Sequence, residues 1–420
     1  MTAAGGGDVR VVITGLGLIT PLGDTAAAVG AALGEGRTSI AASADLPEVG
    51  ESRIADFEAT RYANVRGMRL YNRTTSLGLC AAKLALTDAG LEGGASLPAG
   101  GPGLGLVVGS TYAHLDTLIE YDRSLVAAGI QQTNPALMPL AIASAPGAAI
   151  AMAFSAKAFA VTLASEGASG LDALGMGMRL VAAGRADACL VVGAFAPCRE
   201  LSLSSARAGQ LAPAGEVRVL DARHRGRAFG EAGAAVVLER ADVARARGAV
   251  VKGILSGQGS VFAPAGTRRE DALRRACEEA LQAAGRSSRD LAFVSSGANA
   301  LPRTDEVEAR ALHALLAGGA PGSGEPGPGN PGSGAPADSV PVTAVKAGLG
   351  DLVDASGVVQ VVLALDSLAR RMIPPVAGLE QPALSGLRYA TAPTAVSGAA
   401  ALVTGTSDVG SCSAIVVEQL

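Results

Sequence analysis

Short apolar segments alternate with helical segments along the first 250 residues. The apolar segments have the length of strands and are apolar at nearly every position: residues 11–13, 104–110, 188–194 and 234–240. The segments between them have the composition or the spacing of helices: residues 24–34, 76–90 and 173–186. The glycine-rich residues 14–23 are expected to form a turn. Since continuously apolar strands are typical of a sheet covered on both faces, the pattern predicts an α/β fold with a largely parallel sheet.

The second part of the chain repeats this order more loosely. Strands are predicted over residues 253–260, 291–297 and 341–345, and helices over residues 269–285, 307–316 and 356–370. A segment rich in glycine, proline and serine, residues 317–338, is predicted to be a mobile loop because it has few apolar side chains to bury. The strand that follows the segment completes the repeat, which favours an insertion over a linker. The sequence thus predicts two related halves, residues 1–250 and 251–420.

Composition and charge exclude several classes of function. The net charge is −4, the basic residues are scattered, and aromatic residues make up 3% of the chain, so a nucleic-acid partner is not expected. No apolar run approaches the roughly 18 residues of a membrane helix, and the amino terminus lacks the pattern of a signal peptide. Five cysteines without a CxxC pair fit a reducing compartment. We therefore expect a cytoplasmic protein that is not attached to a membrane.

Residues 159–175, FAVTLASEGASGLDALG, are the segment most indicative of function. They read as a buried strand, a tight turn and a helix rich in small residues. This arrangement often holds a nucleophile at the turn, where the helix amino terminus stabilises negative charge. The residue at the turn is Gly167, which has no side chain to react.

Four segments together resemble the landmark segments of the β-ketoacyl synthases, in the same order and over most of the chain. They are VVITGLGLITPLG at the start, GASGLDALG at 167–175, VLDARHRGRAFGEAGAAVVLE at 219–239 and VTAVKAGLGD at 342–351. The resemblance implies a thiolase-like fold with two related βαβαβαββ halves in a five-layer αβαβα core. It also implies a dimer formed through strands beside the active site.

Catalysis in that family uses a cysteine at the strand-to-helix turn and two histidines. By the resemblance, Gly167 stands at the cysteine position, Leu301 near the first histidine and Asp351 at the second. Asp408 falls near the phenylalanine of a glycine-rich gate segment. The three histidines of the chain match neither catalytic position: His114, His224 and His313. The resemblance therefore implies that all three catalytic groups are missing.

The combined losses are similar to those of the chain length factors, the non-catalytic ketosynthase β subunits of type II polyketide synthases. The resemblance implies a heterodimer with a catalytic ketosynthase α subunit, an acyl carrier protein as a second partner, and a growing polyketide in a tunnel at the interface. The turn in those proteins resembles EQAGGLDA, whereas this chain has EGASGLDA. Because glycine replaces the glutamine, a decarboxylase role is not carried over.

The resemblance places the residues that limit chain length on the helix after the third strand, residues 111–129. Leu115, Leu118 and Asp122 share one face of that helix, and Ile119 is adjacent. No bulky aromatic residue occurs on this face, which fits a longer tunnel or a linear chain. The same leucines and isoleucine are equally compatible with ordinary core positions.

Glu166, Lys346 and Asp351 are expected to converge where the active site of the family lies. A buried ion network is the favoured interpretation, and acid–base chemistry is the alternative. No cofactor and no metal site is predicted. Two other functions remain open: a condensing or acyl-transfer enzyme that uses Glu166 or Asp351, and a homodimeric scaffold.

Overall fold

The computed structural model describes residues 10–91, 97, 100–317 and 340–420. The predicted loop at 317–338 lies outside the described residues, except for Ala317. Within the described residues, no helix combines the length and the apolar character needed to span a membrane.

Eight strands and seven helices lie in the described part of the first half. The strands are β1 (Val11–Ile19), β2 (Ala41–Ala42), β3 (Gly50–Ser52), β4 (Leu104–Gly109), β5 (Ala160–Leu163), β6 (Ala188–Phe195), β7 (Phe229–Gly230) and β8 (Ala232–Arg240). The helices are α1 (Ala26–Gly34), α2 (Arg73–Asp88), α3 (Leu115–Ala128), α4 (Ala145–Phe154), α5 (Ser169–Ala182), α6 (Arg199–Arg207) and α7 (Ala241–Ala246).

The second half has eight strands and four helices among its described residues. The strands are β9 (Gly253–Phe262), β10 (Leu291–Ser295), β11 (Pro341–Thr343), β12 (Met372–Ile373), β13 (Arg388–Tyr389), β14 (Thr394–Ala395), β15 (Ala400–Thr406) and β16 (Ser411–Glu418). The helices are α8 (Arg269–Ala283), α9 (Pro302–Leu316), α10 (Lys346–Leu349) and α11 (Ser356–Arg370). The predicted boundary at residue 250 falls between β8 and β9 and stays a prediction.

The two halves share one strand order. The first half runs β5-β4-β6-β8-β1 and the second runs β11-β10-β15-β16-β9, so that each has the order third, second, fourth, fifth, first strand. In both halves the second strand pairs in parallel with its two neighbours, and the last pairings are antiparallel. The prediction of a largely parallel sheet is therefore wrong. Antiparallel pairing had no signature in the sequence because these strands, too, are apolar along their whole length.

Two central helices pack between the halves. Helix α5 contacts strands of both halves, including β6 and β9, and α11 contacts β15 and β8. The two helices approach closely near their amino termini, where a β-carbon on Gly170 would lie 3.0 Å from the Val358 backbone nitrogen. With α2 and α8 on the outer faces of their strands, the layers alternate helix, sheet, helix, sheet, helix.

The glycine-rich start of the chain is a strand rather than a turn. β1 continues to Ile19, and the glycines at 15 and 17 face α2. A β-carbon on Gly17 would overlap the carbonyl oxygen of Ala81. These glycines therefore permit close contact between strand and helix, and the prediction of a turn is wrong for residues 14–19. Residues 20–23 do form a tight turn, in which the Thr20 and Gly23 backbones bond to each other at 2.8 and 3.1 Å.

The strand before the candidate turn is an edge strand. β5 pairs only with β4 in the described part of the chain, and Ala160 is exposed while the rest of β5 is half-buried. The prediction of a buried strand at this place is wrong for the single chain. Its apolar composition leaves an unpaired, partly apolar strand edge, which is a surface suited to pairing with another chain.

Candidate functional site

A cavity of ≈ 410 Å³ lies beside the turn between β5 and α5. It brings together four of the predicted positions, Glu166, Gly167, Asp351 and Asp408. Lys346 and Leu301 do not line it. Several other lining residues were not predicted as site residues: Tyr112, Leu201, Ser204, Ser205, Gln210, Arg227, Phe229, Asn299 and Thr304. Most of the lining residues therefore have polar side chains, at a site that the family resemblance would assign to thioester chemistry.

The turn at Gly167 retains its backbone shape without room for a side chain. A short 3-10 helix, Glu166–Ala168, leads directly into α5, and Glu166 adopts a left-handed conformation with φ of 50°. A β-carbon on Gly167 would lie 2.5 Å from the carbonyl oxygen of Thr406, at the end of β15. Position 167 therefore lacks both a reactive side chain and the space for one, because the Thr406 backbone occupies that space.

Asp351 is the centre of a buried ion cluster. Its Oδ1 lies 3.2 Å from Lys346 Nζ and its Oδ2 lies 2.8 Å from Arg227 Nη1. The side-chain amide of Asn299 donates to the same Oδ2 at 2.8 Å, and Lys346 also donates to the carbonyl of Gly297 at 2.9 Å. Lys346 is 2% exposed and Asp351 3%. All the acceptor capacity of the carboxylate is thus directed at protein donors.

The cluster keeps Asp351 ionised. Burial alone would raise its pKa, but Lys346, Arg227 and the hydrogen bonds from Arg227 and Asn299 outweigh burial and lower the pKa to about 2. A carboxylate with so low a pKa is a poor proton acceptor at neutral pH, because an effective general base has a pKa near the working pH. The geometry therefore favours the ion network over acid–base chemistry at Asp351.

Asp351 is expected to make stability depend on acid pH. Its pKa is lowered on folding, so its contribution is present above the unfolded value of 3.8 and is lost as the pH falls through about 2. The shift corresponds to roughly 2 kcal/mol of unfolding free energy. Urea unfolding between pH 5 and pH 2 should give a shallower decline for Asp351→Asn than for the wild type. Equal slopes for the two proteins would contradict the assignment.

Glu166 is not part of that cluster. Its Oε1 accepts a hydrogen bond from the Tyr112 hydroxyl at 2.8 Å, and its Oε2 accepts one from the Asp408 backbone N–H at 2.9 Å. Burial and the bond to Glu166 raise the pKa of Tyr112, so the phenol stays protonated and donating. The Asp408 side chain itself is exposed. Glu166 thus joins the segment after β4 to the loop between β15 and β16.

The loop expected to carry the first histidine contributes Asn299 instead. Leu301 is buried, immediately precedes the first residue of α9 and does not line the cavity. Asp305 fixes the loop by accepting the backbone N–H groups of Asn299 at 2.9 Å and Ala300 at 3.0 Å. The Asn299 side chain then donates to Asp351. The two residues are 52 positions apart, so no local pattern in the sequence predicts this contact.

The predicted tunnel residues lie on α3 away from the cavity lining. Leu115, Leu118 and Ile119 are half-buried and Asp122 is exposed. Helix α3 has no buried residue among those described, so in the single chain these side chains are not ordinary core residues. Their contact with a polyketide stays a prediction.

None of the cysteines has the environment of a nucleophile. All five are free, and four are buried. Burial raises the pKa of Cys80 and of Cys412 to about 12, and it also raises the pKa of the half-buried Cys198. A thiol with a raised pKa is largely protonated and unreactive at neutral pH. Among the described residues no group of three or more His, Cys, Asp or Glu side chains is arranged to hold a metal ion.

Comparison with known proteins places the cavity in a family context. Residues 8–244 match the family model for the N-terminal domain of β-ketoacyl synthases, and residues 248–380 match the model for the C-terminal domain. A putative polyketide β-ketoacyl synthase 1 of Streptomyces halstedii is 30% identical over 396 residues, which cover 89% of this chain and 89% of the relative. A 3-oxoacyl-[acyl-carrier-protein] synthase 2 of Synechocystis sp. is 27% identical over 391 residues, covering 89% of this chain and 88% of the relative.

Solved structures show the same fold. The ishigamide ketosynthase/chain length factor superposes with a TM-score of 0.84 at 23% identity and covers 98% of this chain and 99% of that one. A type II polyketide synthase acyl-carrier protein in complex with its ketosynthase superposes with a TM-score of 0.82 at 19% identity, covering 98% and 100%. The predicted thiolase-like fold is therefore confirmed.

Proposed function

This chain belongs to the β-ketoacyl synthase family, and we propose that within it the chain is a non-catalytic subunit. In this proposal it pairs with a catalytic ketosynthase α subunit in the cytoplasm and limits the length of a polyketide carried by an acyl carrier protein. The observation that carries the proposal is the turn at Gly167, where backbone fills the space that a nucleophile needs. The ionised, fully bonded Asp351 at a predicted histidine position supports the same conclusion.

Exposed apolar side chains on α3, on α4 and on the segment that joins them support a partner chain. Five of the large apolar side chains that are exposed in the described chain lie in this region, of which α4 contacts β5: Val126, Ile130, Met138, Ile142 and Met152. Val126 is 87% exposed and Met152 72%. Large apolar side chains left exposed together beside an open strand edge are typical of an interface.

The names of similar proteins support the choice of partners. One similar structure is described as a ketosynthase/chain length factor, and another as an acyl-carrier protein in complex with its ketosynthase. Other relatives are described as 3-oxoacyl-[acyl-carrier-protein] synthases, so an active condensing enzyme is the alternative. The unpaired edge of β5 is also compatible with a homodimeric scaffold.

Co-expression with ketosynthase α subunits of the same genome tests the proposal. We expect a one-to-one heterodimer whose polyketide synthesis requires both chains and an acyl carrier protein. Condensation of malonyl-carrier by the purified chain alone would establish the enzyme instead. A stable homodimer that co-purifies with no ketosynthase would establish the scaffold.

A larger side chain on α3 is expected to shorten the product of the heterodimer. Leu115→Phe and Leu118→Phe each add a ring to the face that the resemblance assigns to the tunnel, so fewer extension cycles should fit. Glu120→Phe adds the same ring to an exposed position of the same helix and is the control. Product masses are measured by liquid chromatography and mass spectrometry. Unchanged masses for both leucine variants would remove these residues from the tunnel.

A further inference from the structure

The 406–410 loop, which begins with the last residue of β15 and leads into β16, is held by hydrogen bonds from two sides. On one side, Glu166 accepts the Asp408 backbone N–H at 2.9 Å. On the other, the Arg269 guanidinium donates to the carbonyl oxygens of Asp408 and Ser407. The loop itself is a tight turn, closed by a bond from the Gly410 N–H to the Ser407 carbonyl at 3.3 Å. The peptide groups around Asp408 are therefore bonded on both faces.

The same carboxylate holds an aromatic side chain in the cavity wall. Tyr112 lines the cavity and donates its hydroxyl to Glu166 Oε1, while its backbone N–H donates to the buried Asp354 at 3.2 Å. Glu166 in turn is positioned by its own N–H, which donates to the Thr111 hydroxyl at 2.9 Å. One side chain thus connects three segments that are distant in sequence.

We propose that Glu166 is a positioning residue that fastens Tyr112 and the 406–410 loop into one fixed wall of the cavity, which restricts the entry of a carrier-bound acyl chain. The proposal rests on the proposed function in one respect: the wall would end the polyketide tunnel on this side of the heterodimer. No side chain and no acyl group fits at Gly167, because the Thr406 carbonyl oxygen occupies the adjacent space. The chain would thereby be directed toward the partner's cysteine.

The left-handed conformation of Glu166 indicates that this geometry is constrained by its surroundings. A non-glycine residue at φ of 50° carries local strain, which persists only where neighbouring contacts compensate for it. The two hydrogen bonds to a charged acceptor are contacts of that kind. A carboxylate that contacted only solvent would make neither the bond from the half-buried Tyr112 phenol nor the bond from the Asp408 N–H.

The rate at which a thiol inside the cavity is alkylated reports how far the wall restricts access to the cavity. Ser205, a buried serine on α6, lines the cavity, and Ser205→Cys places the thiol there. Cys198→Ser removes the half-buried native thiol from the background. The rate of alkylation by N-ethylmaleimide is followed by intact-protein mass. Glu166→Ala should raise this rate roughly tenfold, which corresponds to about 1.4 kcal/mol, since it removes both hydrogen bonds that hold the wall.

Two substitutions at Asp408 distinguish the effect of its backbone N–H, which donates to Glu166, from the effect of its side chain. Asp408→Pro removes the N–H donor and is tolerated locally, because Asp408 is the second residue of the Ser407–Gly410 turn, where proline is favoured. Asp408→Ala keeps the donor and removes only the exposed carboxylate. We expect faster alkylation in Asp408→Pro and an unchanged rate in Asp408→Ala. Circular dichroism confirms that each variant is folded.

Each outcome bears on a separate claim. Unchanged alkylation in both Glu166→Ala and Asp408→Pro would overturn the proposal, as would equal acceleration in Asp408→Ala and Asp408→Pro. In the heterodimer, Glu166→Ala should also lengthen the product, and an unchanged length despite faster alkylation would overturn the role of the wall in chain length. If Glu166→Ala accelerates alkylation but the chain pairs with no ketosynthase, the role of Glu166 in fixing the wall is supported and only the proposed function is refuted.

Discussion

Replacing Asp351 with alanine is expected to lower the free energy of unfolding by about 3–5 kcal/mol. The substitution leaves Lys346 and Arg227, which are 2% and 13% exposed, without their shared carboxylate. An unpaired buried charge is far more costly than a missing pair, since no water replaces the lost partner. Urea unfolding at pH 7, followed by circular dichroism, measures the loss.

Asp408→Ala is the matched control for that experiment. It removes a second aspartate from the same cavity, but one whose side chain is exposed. Surface substitutions of this kind usually change stability by no more than about 0.5 kcal/mol. A loss below about 1 kcal/mol in Asp351→Ala would show that water reaches the cluster.

Removing all charge in the triple variant Asp351→Leu, Lys346→Met, Arg227→Met should restore much of the loss in unfolding free energy, because replacing a buried ion group by apolar side chains is often neutral or stabilising.

Local patterns in the sequence identified the elements that position the site. Helix α11 occupies the predicted residues 356–370, and the strand, turn and helix around Gly167 lie where the sequence placed them. These elements have strong local signals: apolar residues at helical spacing, and a short apolar strand followed by small residues. The repeat of two halves was visible because the same order of elements occurs twice.

Contacts between distant segments carried no such signal. Arg227 and Asp351 are 124 positions apart, and in the sequence Arg227 stands out only as part of the landmark segment at 219–239. Tyr112 falls inside the predicted helix at 111–129, whereas in the structure it precedes α3 and its hydroxyl donates to Glu166. In both cases the pairing depends on how strands are ordered in the sheet, and a local pattern does not specify that order. The edge position of β5 was hidden for the same reason.

The predicted convergence of Glu166, Lys346 and Asp351 separates into two arrangements in the structure. Lys346 and Asp351 form a buried pair with Arg227, and Glu166 bonds instead to Tyr112 and the 406–410 loop. The first arrangement places a buried ion cluster where the family resemblance implies a catalytic histidine. In the second, the Thr406 backbone lies against Gly167, where the resemblance implies a cysteine. Both changes favour a fixed cavity over a reactive one.

Gly167→Cys is expected to restore neither acylation nor condensation. The amino terminus of α5 would favour a thiolate at this position, but the new β-carbon would lie 2.5 Å from the Thr406 carbonyl oxygen. Relief requires a shift of strand backbone, so stability should fall by about 1–3 kcal/mol. Mass spectrometry after incubation with an acyl carrier protein thioester tests acylation, and urea unfolding tests stability.

Gly215→Cys is the matched control, because a β-carbon on Gly215 meets no atom within 4 Å and the residue has no left-handed φ. It should leave stability nearly unchanged, which isolates the contact with Thr406 from the general effect of replacing glycine. A Gly167→Cys protein as stable as this control, and acylated by the carrier, would show that the loop moves freely away from the turn. Without that result, a cysteine at position 167 alone is insufficient for thioester chemistry at this turn: the Thr406 carbonyl has to move away, and the strongly bonded Asp351 has to be replaced by a base.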